Sequence, residues 1–275
     1  MFTTWWMVAT DYMVSPWTWC HFALGAIVGS FLNVCILRIP KKTFWRNTRS
    51  VCPNCESPIP WYHNIPILSF YILRGQAACC HVKLSRQYPL VEFLTGAAFI
   101  ATYWYAPYIN WSAGHAEILW PNFIRFMHLS VFVSLMIVCS AIDLKYMIIP
   151  DVISIPMILV TPIIVYYHPE LDWKSALFGV VVGGGVLYFV AWIYWMLRRE
   201  IGLGFGDVKL LAAVGGWLGV QAIVPTILIG SVLGTVVGMG ALLVNRQMSL
   251  KSALPFGPFL AFGACFHMLF NLKIF

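Results

Sequence analysis

Hydrophobic residues in this chain come in long blocks separated by short polar connections. Eight blocks stand out, at about 17–37, 89–107, 123–142, 152–168, 176–197, 209–222, 224–244 and 256–274. Most approach the roughly 20 residues that an α-helix needs to cross a bilayer. The sixth is short, as expected of a tilted, half-buried or broken helix. Only one connection, from Arg38 to about Tyr88, is long enough to be a small folding unit. A loop of that size cannot build an ordinary core, so a staple or the membrane surface has to order it. The pattern predicts an all-α polytopic membrane protein with about eight transmembrane helices. A cytoplasmic loop domain lies between the first and the second. The expected units are 1–37 (N-terminal segment and first helix), 38–88 (cysteine-containing loop) and 89–275 (a seven-helix membrane domain).

Composition agrees with the blocks. The chain has 275 residues, 60% hydrophobic and 10% charged, where soluble domains are about one quarter charged. The net charge of +7 would suggest nucleic acid in a soluble protein, but its distribution points elsewhere. Of the 17 Lys and Arg, only Arg125, Lys174 and Lys273 fall on one set of connections, and the other 14 fall on the opposite set. Basic residues collect on the cytoplasmic side of membrane proteins. The asymmetry therefore predicts the Arg38–Tyr88 loop in the cytoplasm and both termini outside. It also predicts attraction to anionic membrane lipid and no nucleic-acid partner. Met1–Trp19 lacks a basic n-region and a small-residue cleavage site, so no removable signal peptide is expected. Glycines spaced by four at Gly230, Gly234 and Gly238, and the run Gly183-Gly184-Gly185, predict close helix–helix packing.

Ionisable groups beside spanning segments are costly to keep and point to function. Asp143 falls at the cytoplasmic end of the third block and Asp207 at the cytoplasmic start of the sixth, at the same depth though 64 residues apart. Two carboxylates at one site share a proton and suit hydrolysis: one takes a proton from water, the other polarises a carbonyl. The same residues also fit interfacial helix ends paired with Lys145 and Lys209, or a proton pathway in a transporter. Asp207 lies on the glycine-rich stretch Gly202–Lys209, where Gly204 and Gly206 allow close backbone approach. Glu92, after Tyr88-Pro89, suits a helix N-terminus or a contact to a bound ligand. Asp151, after Pro150, suits helix capping. Cys20, Cys35, Cys139 and Cys265 fall in apolar blocks as packing residues. Cys52-x-x-Cys55 followed by Cys79-Cys80 reads as a zinc site in a reducing compartment, whereas His63 reads as a surface residue.

Gly204-Phe205-Gly206-Asp207-Val208-Lys209 resembles the Gly-x-Gly-Asp-x-Lys motif of the type IV prepilin leader peptidases, bacterial GxGD-type membrane aspartic proteases. Asp143–Asp151 is similar to the family's first-Asp element with its Ile-Pro-Asp. Gly29–Val34 with Arg38-Ile39-Pro40, Cys52–Cys55, Arg74-Gly75, Tyr88–Glu92 and Pro255–Phe259 match in order. The resemblance covers about residues 20–265. It implies an endopeptidase of the bacterial inner membrane that removes the basic leader from type IV prepilins or type II secretion pseudopilins, after a Gly at the cytoplasmic face. Asp143 and Asp207 would be catalytic, with Gly204, Gly206, Lys209 and Glu92 in support and no cofactor for cleavage. It also implies N-methylation of the new N-terminus with S-adenosylmethionine. The chain departs from the family's Arg-Gly-x-Cys-x-x-Cys: Ala77 takes the first Cys position, Cys80 the second, and Cys79 is one residue out of register, which leaves either a zinc site with Cys79 or His81 as the fourth ligand or a degraded, metal-free loop. An inactive assembly scaffold is the remaining alternative.

Overall fold

Each predicted block forms a helix in the computed structural model. It describes residues 16–44, 51–52, 54–55, 57–112, 115–168, 170–200, 202, 204–244 and 254–270. Asp11, Arg46, Arg49, Pro53, Glu56, Leu203, Arg246, Lys251 and Lys273 lie outside the described residues, as does most of Met1–Trp19. The chain divides into two units, Met1–Ser134 and Leu135–Phe275.

In the first unit, α1 (Pro16–Arg38) packs along α3 (Gln87–Tyr105), and the short α2 (Leu68–Ile72) lies in the loop between them. Glycine sets the α1–α3 approach: a Cβ on Gly29 would come 2.7 Å from Glu92 Cα, and one on Gly25 would come 2.7 Å from the Thr95 carbonyl. Polar residues then lock the pair. Asn33, buried, donates from Nδ2 to the Tyr88 carbonyl at 3.1 Å, and Ser30 bonds the Glu92 carboxylate. The Gly-Ser-x-x-Asn of α1 is thus one face turned toward the first turns of α3. At the other end of the helices, His21 bridges the Trp17 carbonyl and the Tyr108 hydroxyl and stacks on Tyr103. The connection expected to be a plain loop contains a two-stranded antiparallel hairpin, β1 (Ile109–Ser112) with β2 (His115–Ile118), in register Ile109↔Ile118 to Ser112↔His115. Four residues per strand, with only the alternation of Trp111 and Ser112 to mark one, are too few to register beside 20-residue apolar blocks. Next comes α4 (Trp120–Tyr146), which runs from the first unit into the second.

The second unit is built around α7 (Phe205–Leu218), with α5 (Asp151–Tyr167), α6 (Trp173–Arg198) and α9 (Gly257–Phe270) packed on it and α8 (Ile223–Val244) against α9. Every residue from Asp207 to Trp217 except Lys209 is buried. This is why the sixth block is short: it is a central helix wrapped by others. It starts at Phe205, four residues before the block's predicted edge at 209, and stops at Gly219, whose φ of +86° suits glycine. Gly179 of α6 and Gly215 of α7 meet backbone to backbone, leaving no room for a Cβ on either. Gly183 joins that contact against Leu211, while a Cβ on Gly185 would meet nothing, so only part of the glycine run serves packing. Among the described residues, four helices are long and apolar enough to cross a membrane: α1, α4, α6, and α8 with the 3₁₀ turn that precedes it.

Candidate active site

Asp143 sits one turn before the end of α4, which Met147 closes in a left-handed conformation (φ 56°), its N–H donating to the Asp143 carbonyl at 2.9 Å. The chain then runs through Ile148-Ile149-Pro150, and the proline keeps Ile149 out of the helical region. The carboxylate has a partner that the sequence reading did not assign. Gly257 N–H donates to Asp143 Oδ2 at 2.9 Å. Gly257 is the first residue of α9, so this is one of the helix's unpaired N-terminal donors, directed at an anion. The sequence clue was a glycine between Pro255 and Pro258 at a helix start, which marks the N-terminus but not its target.

Asp207 is in the first turn of α7, where Gly204 is the N-cap and its carbonyl accepts the Asp207 N–H at 3.1 Å. Both carboxylates are therefore at helix N-termini, Asp207 at that of its own helix and Asp143 at that of α9. Both are buried, 5% and 9% exposed, and Ile149 lies close to Gly206 beside Asp207 and to Gly257 beside Asp143. Ile149 is the wedge between the two elements: a Cβ on Gly206 would come 2.9 Å from Ile149 Cβ, and one on Gly257 would come 3.1 Å from Ile149 Cδ1 and 2.8 Å from Asp143 Oδ2. Gly206 is thus required by packing within the protein rather than by an incoming backbone. Gly204 differs. A Cβ there would meet only Asp207 Oδ2 at 3.4 Å and Gly206 N at 4.0 Å, so this side leads to the carboxylate.

Neither Asp is held by the lysine nearest in sequence. Lys209 Nζ pairs with Asp151 Oδ1, tying the start of α7 to the start of α5. Lys145 lies over the Tyr146 ring, 5.5 Å from its centroid. Asp151 is accordingly not a helix cap. Pro150 holds the N-cap position with no side-chain bond, and the Asp151 carboxylate turns across to Lys209.

Glu92, in the first unit, is 7% exposed on the second turn of α3 and accepts the Ile67 N–H at 2.7 Å. It holds the loop rather than capping its own helix. Ile67 has φ 62° and ψ −56°, a γ-turn closed by Leu68 N–H to the Pro66 carbonyl at 2.6 Å. That conformation is strained for a β-branched residue and persists only where its surroundings impose it.

In the same loop, Cys52, Cys55, Cys79 and Cys80 converge, their sulfurs all within 4.8 Å of one another. Each pair lies in a reversal closed by a β-bridge, Val51↔Pro58 for the first and Gln76↔Lys83 for the second. In the second reversal His81 takes a left-handed φ of 54°, which absorbs the one-residue shift and brings Cys79 beside Cys55 (3.2 Å) and Cys80 beside Cys52 (3.6 Å). His81 is not in the cluster, and Ala77 is buried. Ser57, through its hydroxyl and backbone, pulls the Cys55 thiol down to about 6. Four sulfurs gathered this closely offer a cation a set of soft ligands. His63 lines a cavity of about 60 Å³ with Cys52, Pro58, Pro60, Leu73 and Leu84.

Residues 23–106 match the bacterial peptidase A24 N-terminal domain, and residues 130–239 match the type IV leader peptidase family. The prepilin leader peptidase/N-methyltransferase of Xanthomonas campestris pv. campestris is 35% identical over 86% of this chain and 86% of its own length. Proteins of the same description from Pectobacterium carotovorum and Pseudomonas aeruginosa are 32% and 30% identical over 98% of this chain, and over 95% and 96% of their own lengths. The chain belongs to the type IV leader peptidase family. No solved structure matches it.

Proposed function

We propose that this protein is a membrane aspartic endopeptidase that cleaves the basic leader of prepilins or type II secretion pseudopilins and N-methylates the new N-terminus. Cleavage and methylation follow from family membership, which gives no support to a transporter or an inactive scaffold. The observation that supports the catalytic assignment is the convergence of Asp143 and Asp207 through Ile149 and Gly257. We read Asp143, supported by the Gly257 N–H, as the carboxylate that removes a proton from water, since a donor to a carboxylate favours its ionised form. Asp207 then carries the shared proton and donates it in a hydrogen bond to the scissile carbonyl oxygen. Water oxygen adds to the carbonyl carbon, Asp143 takes the water proton, and the tetrahedral intermediate collapses with transfer of that proton to the departing amine. The free side of Gly204 is the approach for the peptide backbone. In this reading eight helices span the inner membrane, both termini lie outside, and residues 38–88 form a cytoplasmic loop domain before a seven-helix catalytic domain (89–275).

The Lys209–Asp151 pair positions Asp207 in this scheme by fixing the first turn of α7 against α5. Both partners are partly exposed, and such pairs contribute at most about 1 kcal/mol to stability. Lys209→Ala or Asp151→Ala is therefore expected to leave the melting temperature nearly unchanged and to lower kcat for a prepilin roughly 5–20-fold, within the cost of a sub-ångström misplacement. The charge-swapped double variant, Asp151→Lys with Lys209→Asp, is expected to recover part of it. A swap no better than the single changes would remove the positioning role.

The four cysteines fit zinc. Tetrahedral Zn–S bonds of 2.3 Å separate the sulfurs by about 3.8 Å, against 3.2–3.8 Å for the hydrogen-bonded cysteine pairs and no more than 4.8 Å for any pair. Zinc here would staple the loop. About one zinc per chain is expected by elemental analysis, lost in Cys52→Ser; a metal-free wild type would end this reading. S-adenosylmethionine supplies the methyl group, but the cavity beside the cysteines does not fit it. Its volume falls well below the ~300–1,000 Å³ of ligand pockets, and its lining has no acid and, apart from His63, no basic side chain for a charged donor. Mass measurement of the processed N-terminus with and without the donor tests the methylation.

A further inference from the structure

The loop between α1 and α3 carries an apolar surface that its own fold does not cover. Trp61 is 80% exposed, Leu68 60%, Tyr71 70% and Ile72 76%, with Tyr62 and Ile65 exposed beside them. The inward side chains of the same segment are accounted for: Ser69 is buried and donates to the Tyr62 carbonyl, and Phe70 packs on Gly75. The segment is thus folded, two-sided and apolar on its outer face. A helix of five residues has little stability of its own in water, and monomeric soluble surfaces rarely leave such patches bare.

Three observations indicate what covers it. The first is depth. The strained γ-turn at Ile67, in the middle of the segment, is held by Glu92 of α3, whose outward neighbours Leu90, Phe93 and Leu94 are themselves exposed and apolar. The patch is therefore anchored beside the end of an apolar helix. The second is composition, since Trp and Tyr together with aliphatic residues are the side chains of the membrane–water boundary. The third is charge. Residues 57–91 contain Arg74, Lys83 and Arg86 and no Asp or Glu, and all three cations are exposed, as attraction to an anionic leaflet requires.

We propose that Trp61–Ile72 is a membrane-interface anchor, lying in the headgroup layer with Trp61, Leu68, Tyr71 and Ile72 in contact with lipid, and that it seats the cysteine loop on the bilayer. Glu92 and the Ile67 turn set the angle at which the segment leaves the end of α3. This rests on the reading of α1 and α3 as spanning helices. The anchor differs from a spanning segment: it lies in the plane of the interface, as amphipathic surface elements do.

The test places the photoreactive residue p-benzoylphenylalanine at Trp61 or Tyr71 of the full-length protein, in nanodiscs of phosphatidylcholine and phosphatidylglycerol. Val181, exposed on α6, serves as a control for lipid exposure in a candidate span. After irradiation, lipid adducts by mass spectrometry are expected at positions 61, 71 and 181. Adducts at 181 without any at 61 and 71 would overturn the anchor while leaving the spanning reading intact. No adduct at any of the three would overturn both. Crosslinks from 61 and 71 to a second copy of this chain, or to an added peptide carrying a basic leader and an apolar helix, would replace lipid with a protein partner.

Discussion

Single replacement of Asp143 or Asp207 by Asn is expected to lower the rate of prepilin cleavage by at least about 10³-fold, within the range for losing a positioned acid or base. The two losses will not add: the double variant is expected to be as inactive as either single one, because the pair works as a unit. Membrane insertion and melting temperature should stay near wild type, since Asn keeps the size of Asp and the Gly257 N–H can still donate to its amide oxygen. N-terminal methylation of a substrate supplied already processed should also persist. Initial rates on purified prepilin, with each variant in the same detergent, check this. Full cleavage by either variant would remove the dyad from the mechanism. The pH–rate profile is expected to be bell-shaped, with apparent values belonging to the pair rather than to either residue.

The second large effect is expected at a residue with no side chain. Gly257→Ala would put a Cβ 2.8 Å from Asp143 Oδ2 and 3.1 Å from Ile149 Cδ1. The helix start cannot retreat freely, because Leu260, Ala261 and Ala264 behind it are buried. The carboxylate has to move, and a shift of about 1 Å in a reacting group costs roughly 10²-fold. The expected result is a kcat reduced about 30–100-fold with KM little changed, a split that separates displaced chemistry from weakened binding. Gly257→Val should be lower still. An unchanged kcat in Gly257→Ala would mean that the added Cβ is accommodated without displacing the Asp143 carboxylate from its 2.9 Å contact with the residue 257 N–H.

Much of this protein was legible as a string. The blocks anticipated every long helix because a segment of some 20 apolar residues has few alternatives to a helix, whatever its neighbours. Asp143 and Asp207 stood out for the same reason: carboxylates are rare at the ends of such blocks and cannot be placed there without cost. The cysteine spacing indicated a cluster even though the second pair breaks the expected pattern.

Contacts were not legible, because they depend on three-dimensional neighbours. Glu92 read as a residue at its own helix start, yet its partner is Ile67, 25 positions earlier. Lys209, two residues from Asp207, pairs with Asp151, 58 positions away. Gly206 invited a substrate-facing reading, while the space beside it is filled by Ile149. The hairpin at Ile109–Ile118 was hidden because short strands give little periodicity.

By itself, then, the sequence determined the class of protein, the positions of its long helices and the identity of the candidate pair, since hydrophobic length acts locally and adds along the chain. Only the tertiary structure decided that an N–H of α9 meets Asp143, that Ile149 spaces the two aspartate elements, and that four sulfurs converge across the shifted turn. Each of these joins atoms far apart in sequence, and their geometry comes from packing that no local pattern encodes.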